Sequence, residues 1–290
     1  MVSWGANPER ELHLYARAPE RVWTFAEQRQ VQAAVYPMEE FGQRRYDLIV
    51  NCIGIASPRA LQENPAAIFP VTACFDDLIL AVLEQQPEAL YLNLSSGAVY
   101  GTDFRTPADE ESGACFAINN LQPEAYYGVA KLHAEARHRS LQHLQIVDLR
   151  IFGYFSRYID LQERFLLSEL IACVQCGQPF VTTPDPLWRD FLHPRDLVAL
   201  IEACVANRPL NGAYDAYSAG VVSKAELIEF FVRTYGLQHV VDHSWQPVTA
   251  TGMKERYYST GRRAAQLGYQ PVYSSLEGIR IETDALLRSC

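Results

Sequence analysis

The 290 residues are 49% apolar and 20% charged, an ordinary globular balance on a chain long enough for one large α/β core or a main domain with a smaller attached lobe. Acidic residues outnumber basic ones, 34 to 25, for a net charge of −9, which leaves no broad positive field for nucleic acid or an anionic membrane. No apolar run approaches the ~18 residues that span a bilayer, and the opening "MVSWGANPEREL" lacks the apolar core of a signal peptide. The expectation is a cytoplasmic protein. Seven cysteines (52, 74, 115, 173, 176, 204 and 290) at irregular spacings predict no disulfide framework. The pair Cys173 and Cys176 stands alone, with neither a second C-x-x-C nor clustered histidines, and reads as packing rather than a metal site.

Apolar, β-rich runs recur along the chain at "ELHLYA" (11–16), "AAVYPM" (33–38), "YDLIVNCIGIA" (46–56), "ALYLNLSS" (89–96) and "LQIVDLRIF" (144–152). Between the third and fourth, "NPAAIFPVTACFDDLILAVLEQQ" predicts in its later part a helix crossing back over the sheet. This alternation predicts a Rossmann-like parallel sheet with helices on both faces. Beyond residue 153 the pattern loosens. A helix is expected to begin near Pro194, and Ser223 with Glu226 three places on forms a capping box that opens another. The segment "VTATGMKERYYSTGRRAAQLGYQP", polar and rich in turn formers, reads as part of a smaller lobe over a ligand. The division expected is 1–153 for the Rossmann-like part and 154–290 for a mixed region with the C-terminal substrate lobe.

Within "YYGVAKLHAEA", Tyr127 and Lys131 are four apart and share a helix face, in a chain of 16 tyrosines and three lysines (131, 224 and 254). Upstream, "NLSSGAVYG" puts Ser95 and Ser96 where a parallel strand ends, the edge at which such sheets bind ligands. These features, with "VNCIGIASP" and "WRDFLHPRDLVALI", resemble the extended short-chain dehydrogenase/reductase family, the NAD(P)-dependent epimerases, dehydratases and reductases of nucleotide-activated sugars. The resemblance runs from about residue 11 to residue 286.

It implies that Tyr127 is the general acid/base at a carbinol or carbonyl. A free phenol titrates near pH ~10, and the charge of Lys131, which would also hold the nicotinamide ribose, is expected to favour the phenolate. Ser96 would donate a hydrogen bond to the same substrate oxygen. Cys52, Ile53 and Gly54 would form the cofactor-binding loop, and Arg189 would take the substrate diphosphate with its guanidinium fork, unless it pairs with Asp190. His193 and Asp196 are expected to hold the loop and the next helix, Asp196 by its charge at the helix N-terminus. Arg17, just past the first strand where NAD-using members carry an acid, points to NADP, with NAD as the alternative. The partners implied are a nucleotide sugar and a second copy in a homodimer, with no nucleic acid, membrane or metal.

The sequence also departs from the family. No G-x-x-G-x-x-G or G-x-G-x-x-G occurs in it, so the loop that presents backbone N–H groups to a pyrophosphate is not recognisable. The family's first strand has no counterpart ahead of "ELHLYA". The expectation is a shortened chain, or another element or subunit in the central position, with weak dinucleotide binding. "LRIFGYFSR" sets Gly153 where the family often has a substrate-binding asparagine. Gly97 and Ala98 replace the Asp-Glu pair of dehydratases. Gly97 and Ala98 favour an epimerase or keto-reductase acting through Ser96, Tyr127 and Lys131, while Gly153 leaves an unusual acceptor or a non-nucleotide substrate open. The alternative is a weakly active scaffold or regulatory subunit.

Overall fold

The computed structural model describes residues 9–55, 57–163, 165–244 and 254–288. In chain order the elements are β1 (His13–Ala16), α1 (Pro19–Gln28), β2 (Ala34–Pro37), β3 (Leu48–Asn51), α2 (Pro58–Glu63), α3 (Ile68–Gln85), β4 (Leu90–Ser96), α4 (Pro123–Ser140), β5 (Gln145–Ile151), α5 (Leu166–Cys176), β6 (Phe180–Thr182), β7 (Trp188–Arg189), α6 (Pro194–Ala206), β8 (Gly212–Ala216), β9 (Val222–Ser223), α7 (Lys224–Tyr235), β10 (His239–Val241), β11 (Arg256–Tyr257) and α8 (Ser275–Leu287). The five expected strands and the helix from Pro194 are all present. Ser223 and Glu226 close the capping box at the start of α7. Ser274 and Glu277 close another, not foreseen, at α8.

The main sheet is parallel, in the order β3-β4-β5-β8. Side chains of successive strand residues leave opposite faces. Leu90, Leu92, Val147 and Leu149 pack on one side with Leu200, Ile201 and Cys204 of α6. Tyr91, Ile146 and Ile49 pack on the other with Ile79 and Leu83 of α3. That double burial is what makes the central strands read as continuous apolar runs. A separate cluster gathers Leu167, Leu170 and Ile171 of α5, Leu227 and Phe231 of α7, and Ile279 of α8.

β1 and β2 form a parallel sheet of their own, and among the described residues no ladder joins β1 to β3. Leu12, just ahead of β1, Leu14 of β1, and Leu48 and Val50 of β3 border one cavity of about 1880 Å³ that extends to Tyr257.

One expectation is corrected. The span Pro65–Gln85 has the length and a mean hydropathy of 1.9 that would suit a membrane-crossing helix. Here Ile79, Leu80, Val82 and Leu83 of that span join the core, and its Asp76 is buried against polar partners. Six cysteines are free thiols. Cys173 packs at the margin of the α5–α7–α8 cluster, and among the described residues no group of His, Cys, Asp and Glu is arranged to hold a metal.

Candidate active site

Strand β4 ends at Ser96, whose Oγ accepts from Ala98 N at 3.2 Å and caps a short turn. Helix α4 lays Tyr127 and Lys131 beside that turn, and all three side chains line the cavity. Lys131 is 4% exposed. Its Nζ donates to the Leu94 carbonyl at 2.9 Å and lies 6.0 Å from the centre of the Tyr127 ring. Burial lowers the Lys131 pKa, while the charges of Asp148, Glu135 and Asp76 work in the opposite direction. Burial raises the Tyr127 phenol above its usual value, and a hydrogen bond with Ser96 opposes the rise. Desolvation decides that direction.

The loop after β3 lies against the same lysine: a Cβ added at Gly54 would sit 4.0 Å from Lys131 Nζ. Cys52, Ile53 and Gly54 all line the cavity. The loop is fixed from behind by Asn51, which the sequence did not single out. Asn51 Oδ1 accepts from Ile53 N at 2.9 Å, and its Nδ2 donates to the Tyr91 hydroxyl at 3.0 Å. Tyr91 donates to Asp76 at 3.0 Å. Asp76 in turn accepts from His138 Nε2 at 2.7 Å, and the other ring nitrogen bonds Asp148 at 2.9 Å. Burial opposes a charge on His138, but hydrogen bonds to Asp148 and Asp76 and their charges outweigh it and raise the imidazole to about 9.

At the other side of Ser96, Arg189 makes no ion pair with Asp190, which instead accepts from Ser218 N at 3.1 Å. Arg189 Nη1 donates to the carbonyls of Trp188 at 2.8 Å and Lys254 at 2.7 Å, which leaves the other edge of the guanidinium for an anion. Burial lowers its pKa to about 10. Lys254 is also 4% exposed. Among the described residues its ammonium meets only ring faces, 4.4 Å from the centre of Tyr257 and 5.5 Å from that of Phe104. Burial, then the charge of Arg189, lowers Lys254 to about 8. Lys224 completes the set, donating to Thr183 O at 2.7 Å. Thus all three lysines of the chain line one cavity. Their scarcity was visible in the sequence, but only Lys131 had a motif to place it.

Arg17 does not line the cavity. It lies exposed past the end of β1, with no ion pair to Glu20. His193 and Asp196 act structurally, as expected, with the Asp196 carboxylate in the first turn of α6. His193 Nδ1 accepts from Arg195 N at 3.2 Å, whereas Asp196 accepts from Val272 N at 3.0 Å and Tyr273 N at 3.1 Å, and so ties down the C-terminal segment. The remaining departures have steric reasons. A Cβ at Gly97 would lie 2.3 Å from the Phe152 ring, and one at Gly153 would lie 2.5 Å from the Asp190 carbonyl. Neither an acid at 97 nor an asparagine at 153 fits this backbone.

A model of the NAD dependent epimerase/dehydratase family matches residues 25–220. No curated protein matches the chain. Among solved structures, UDP-glucuronic acid 4-epimerase from Bacillus cereus, in complex with UDP-glucuronic acid and NAD, superposes with a TM-score of 0.78 at 16% identity, over 99% of this chain and 94% of that one. UDP-glucose 4-epimerase from Thermotoga maritima, with UDP-glucose, gives 0.75 at 14% identity over 97% and 99%. dTDP-glucose 4,6-dehydratase from Bacillus anthracis, in complex with NAD, gives 0.64 at 16% over 94% and 78%. At these identities the likeness is one of fold.

Proposed function

Because the chain belongs to the NAD dependent epimerase/dehydratase family, we propose that it is a nucleotide-sugar epimerase working at C4 of a UDP-hexose. The observation that carries this reading is that Ser96, Tyr127 and Lys131 share one cavity with two cations, the half-buried Arg189 and the buried Lys254. That gives one end for a carbinol and another for a diphosphate.

The residues around Lys131 fit the nicotinamide-ribose part of a dinucleotide. Lys131 Nζ stands beside the Gly54 turn, and Cys52–Gly54 form a wall pinned by Asn51. The sequence offers no glycine-rich turn for the pyrophosphate, so weak affinity is expected. A bound nicotinamide dinucleotide would supply a hydride acceptor and donor. NAD is proposed because the solved neighbours carry it and Arg17 lies outside the cavity lining.

The protein's own part is proton handling and orientation. Ser96 donates to the sugar oxygen as charge builds on it. Tyr127 removes that oxygen's proton and later returns it. The ammonium of Lys131 stabilises the phenolate that exists before the proton is taken and again after it is returned. Arg189, by its uncommitted edge, and Lys254 hold the diphosphate while the keto sugar turns over. Gly97, forced by Phe152, leaves no acid to eliminate water, which favours epimerisation over dehydration.

The test is incubation of the protein with NAD and either UDP-glucose or UDP-glucuronic acid, followed by chromatographic separation of the C4 epimers. Appearance of the 4-epimer from one of them is expected. No epimer from either, with UDP still bound, would turn the assignment to a non-catalytic binding subunit.

A further inference from the structure

Tyr257 belongs to no motif, yet its hydroxyl lies 2.9 Å from Ser96 Oγ, across 161 residues of chain. The Ser96 oxygen already accepts from Ala98 N, and its single proton has two phenols to serve, Tyr127 and Tyr257. In the reaction proposed above, the group that bonds Ser96 beside Tyr127 is the oxygen of the substrate carbinol. A phenolic oxygen of the protein now makes that bond, and because burial raises its pKa it stays protonated, chemically a hydroxyl like the one it replaces.

The side chain is held there firmly. Its ring meets Phe104 edge-on at 4.8 Å and Phe152 at 5.2 Å, with the Lys254 ammonium 4.4 Å from its centre. The strand that carries it is fastened on both sides. Trp188 N donates to Glu255 O at 2.8 Å and Arg256 N to Phe104 O at 2.8 Å, while Arg189, opposite Tyr257 in register, donates to Lys254 O.

We propose that Tyr257 is a built-in stand-in for the reacting oxygen of the substrate, and that a nucleotide sugar seats its sugar only when this phenol releases Ser96. The inference rests on the nucleotide-sugar reading. It makes binding stepwise: the diphosphate engages Arg189 and Lys254 with Tyr257 in place, and the sugar then pays for displacing the phenol. The sugar thus adds little to the affinity of the unaltered protein.

Calorimetric titration with UDP and with UDP-glucose tests this on the full chain and on Tyr257→Phe and Tyr257→Ala. Tyr257→Phe, which frees Ser96 but keeps the ring, should tighten UDP-glucose binding about 2- to 10-fold, the worth of one hydrogen bond. Tyr257→Ala should likewise bind UDP-glucose more tightly relative to UDP than the unaltered protein does, and UDP should bind the unaltered protein and Tyr257→Phe alike, since both keep the ring that packs on Lys254. Unchanged or weaker UDP-glucose binding in Tyr257→Phe, with UDP binding retained, overturns the stand-in and leaves the nucleotide-sugar reading intact. If neither nucleotide binds any of the proteins, that reading fails and this inference fails with it.

Discussion

The proposed reaction end of the cavity is backed by side chains that bond one another through β3, β4, β5, α3 and α4, whereas the end bordered by β1, which pairs with β2, is held by rings near the surface. Behind Ser96 and Lys131, His138 is fully buried between Asp76 and Asp148, and Asn93 Nδ2 donates to the same Asp148 at 2.7 Å. Glu135 takes Ser95 Oγ at 2.6 Å and Arg150 Nη2 at 2.7 Å. In β1 and β2, by contrast, every residue is only half-buried. Tyr15 stacks on Tyr36 at 5.5 Å, and Arg44 covers Tyr36 at 3.7 Å from the ring centre. The difference teaches that geometry for proton transfer needs a polar lattice satisfied in depth, while the β1–β2 sheet stays associated through adaptable aromatic contacts.

The sharpest way to probe the proposed reaction end is to remove the proton carrier proposed for it. Tyr127→Phe should lower turnover by about 10²- to 10⁴-fold with UDP affinity unchanged, since it deletes one oxygen and no cation. Comparable turnover in the variant would take the reaction away from this end altogether.

The lattice itself comes next. His138→Ala leaves Asp76 and Asp148 facing each other without their shared donor, and breaking a buried ion pair costs about 3–5 kcal/mol. Urea unfolding should show that loss, while Tyr36→Ala in the half-buried sheet should cost less. The pH dependence has a definite sign. The folded value of His138 is raised to about 9, above the ~6.5 of an unfolded chain. Its contribution is therefore complete below the unfolded value and is lost as pH rises through the folded one. Equal losses from His138→Ala and Tyr36→Ala would erase the contrast between the two ends.

Sequence reasoning could read the parts of this site that obey a period. Tyr127 and Lys131 are one helical turn apart, and Ser96 ends a buried run that can only be a central strand. It could not read the supports. Asn51 reaches Tyr91 across 40 residues and His138 reaches Asp76 across 62, and such pairings follow from the register of strands and the packing of α3 on α4. Tyr257 was hidden for a related reason: it enters the site because β11 pairs with β7, and nothing in a turn-rich segment announces that pairing. The upward push of burial on Tyr127 is likewise illegible in a sequence, where charge spacing is visible and desolvation is not.

The anion-binding side should respond to pH more modestly. Burial, followed by the charge of Arg189, lowers Lys254 to about 8, so the ammonium is charged below that pH and neutral above it. UDP binding should weaken by about tenfold, the worth of one moderate charge-assisted contact, as pH rises through this value. Lys254→Met should bind more weakly at pH 7 and show a flat profile across the same range. A profile that stays steep in the variant would assign the titration to another group.

The smallest effect is expected at Arg17. It lies exposed beyond β1 and outside the cavity lining, at the loosely held end of the molecule. A guanidinium that reads a 2′-phosphate makes short, charge-assisted bonds worth more than ordinary ones, and its removal would weaken NADPH much more than NADH. One that stays in solvent contributes almost nothing specific, because water and salt screen it. With NAD as the proposed cofactor, Arg17→Ala should change the affinities for NADH and NADPH alike and by less than about 2-fold, within the scatter of exposed charges. Fluorescence titration of the reduced dinucleotides decides it. A selective loss of NADPH would bring Arg17 into the cofactor site, make NADP the cofactor, and show that the β1–β2 end is more closely tied to the chemistry than its packing suggests.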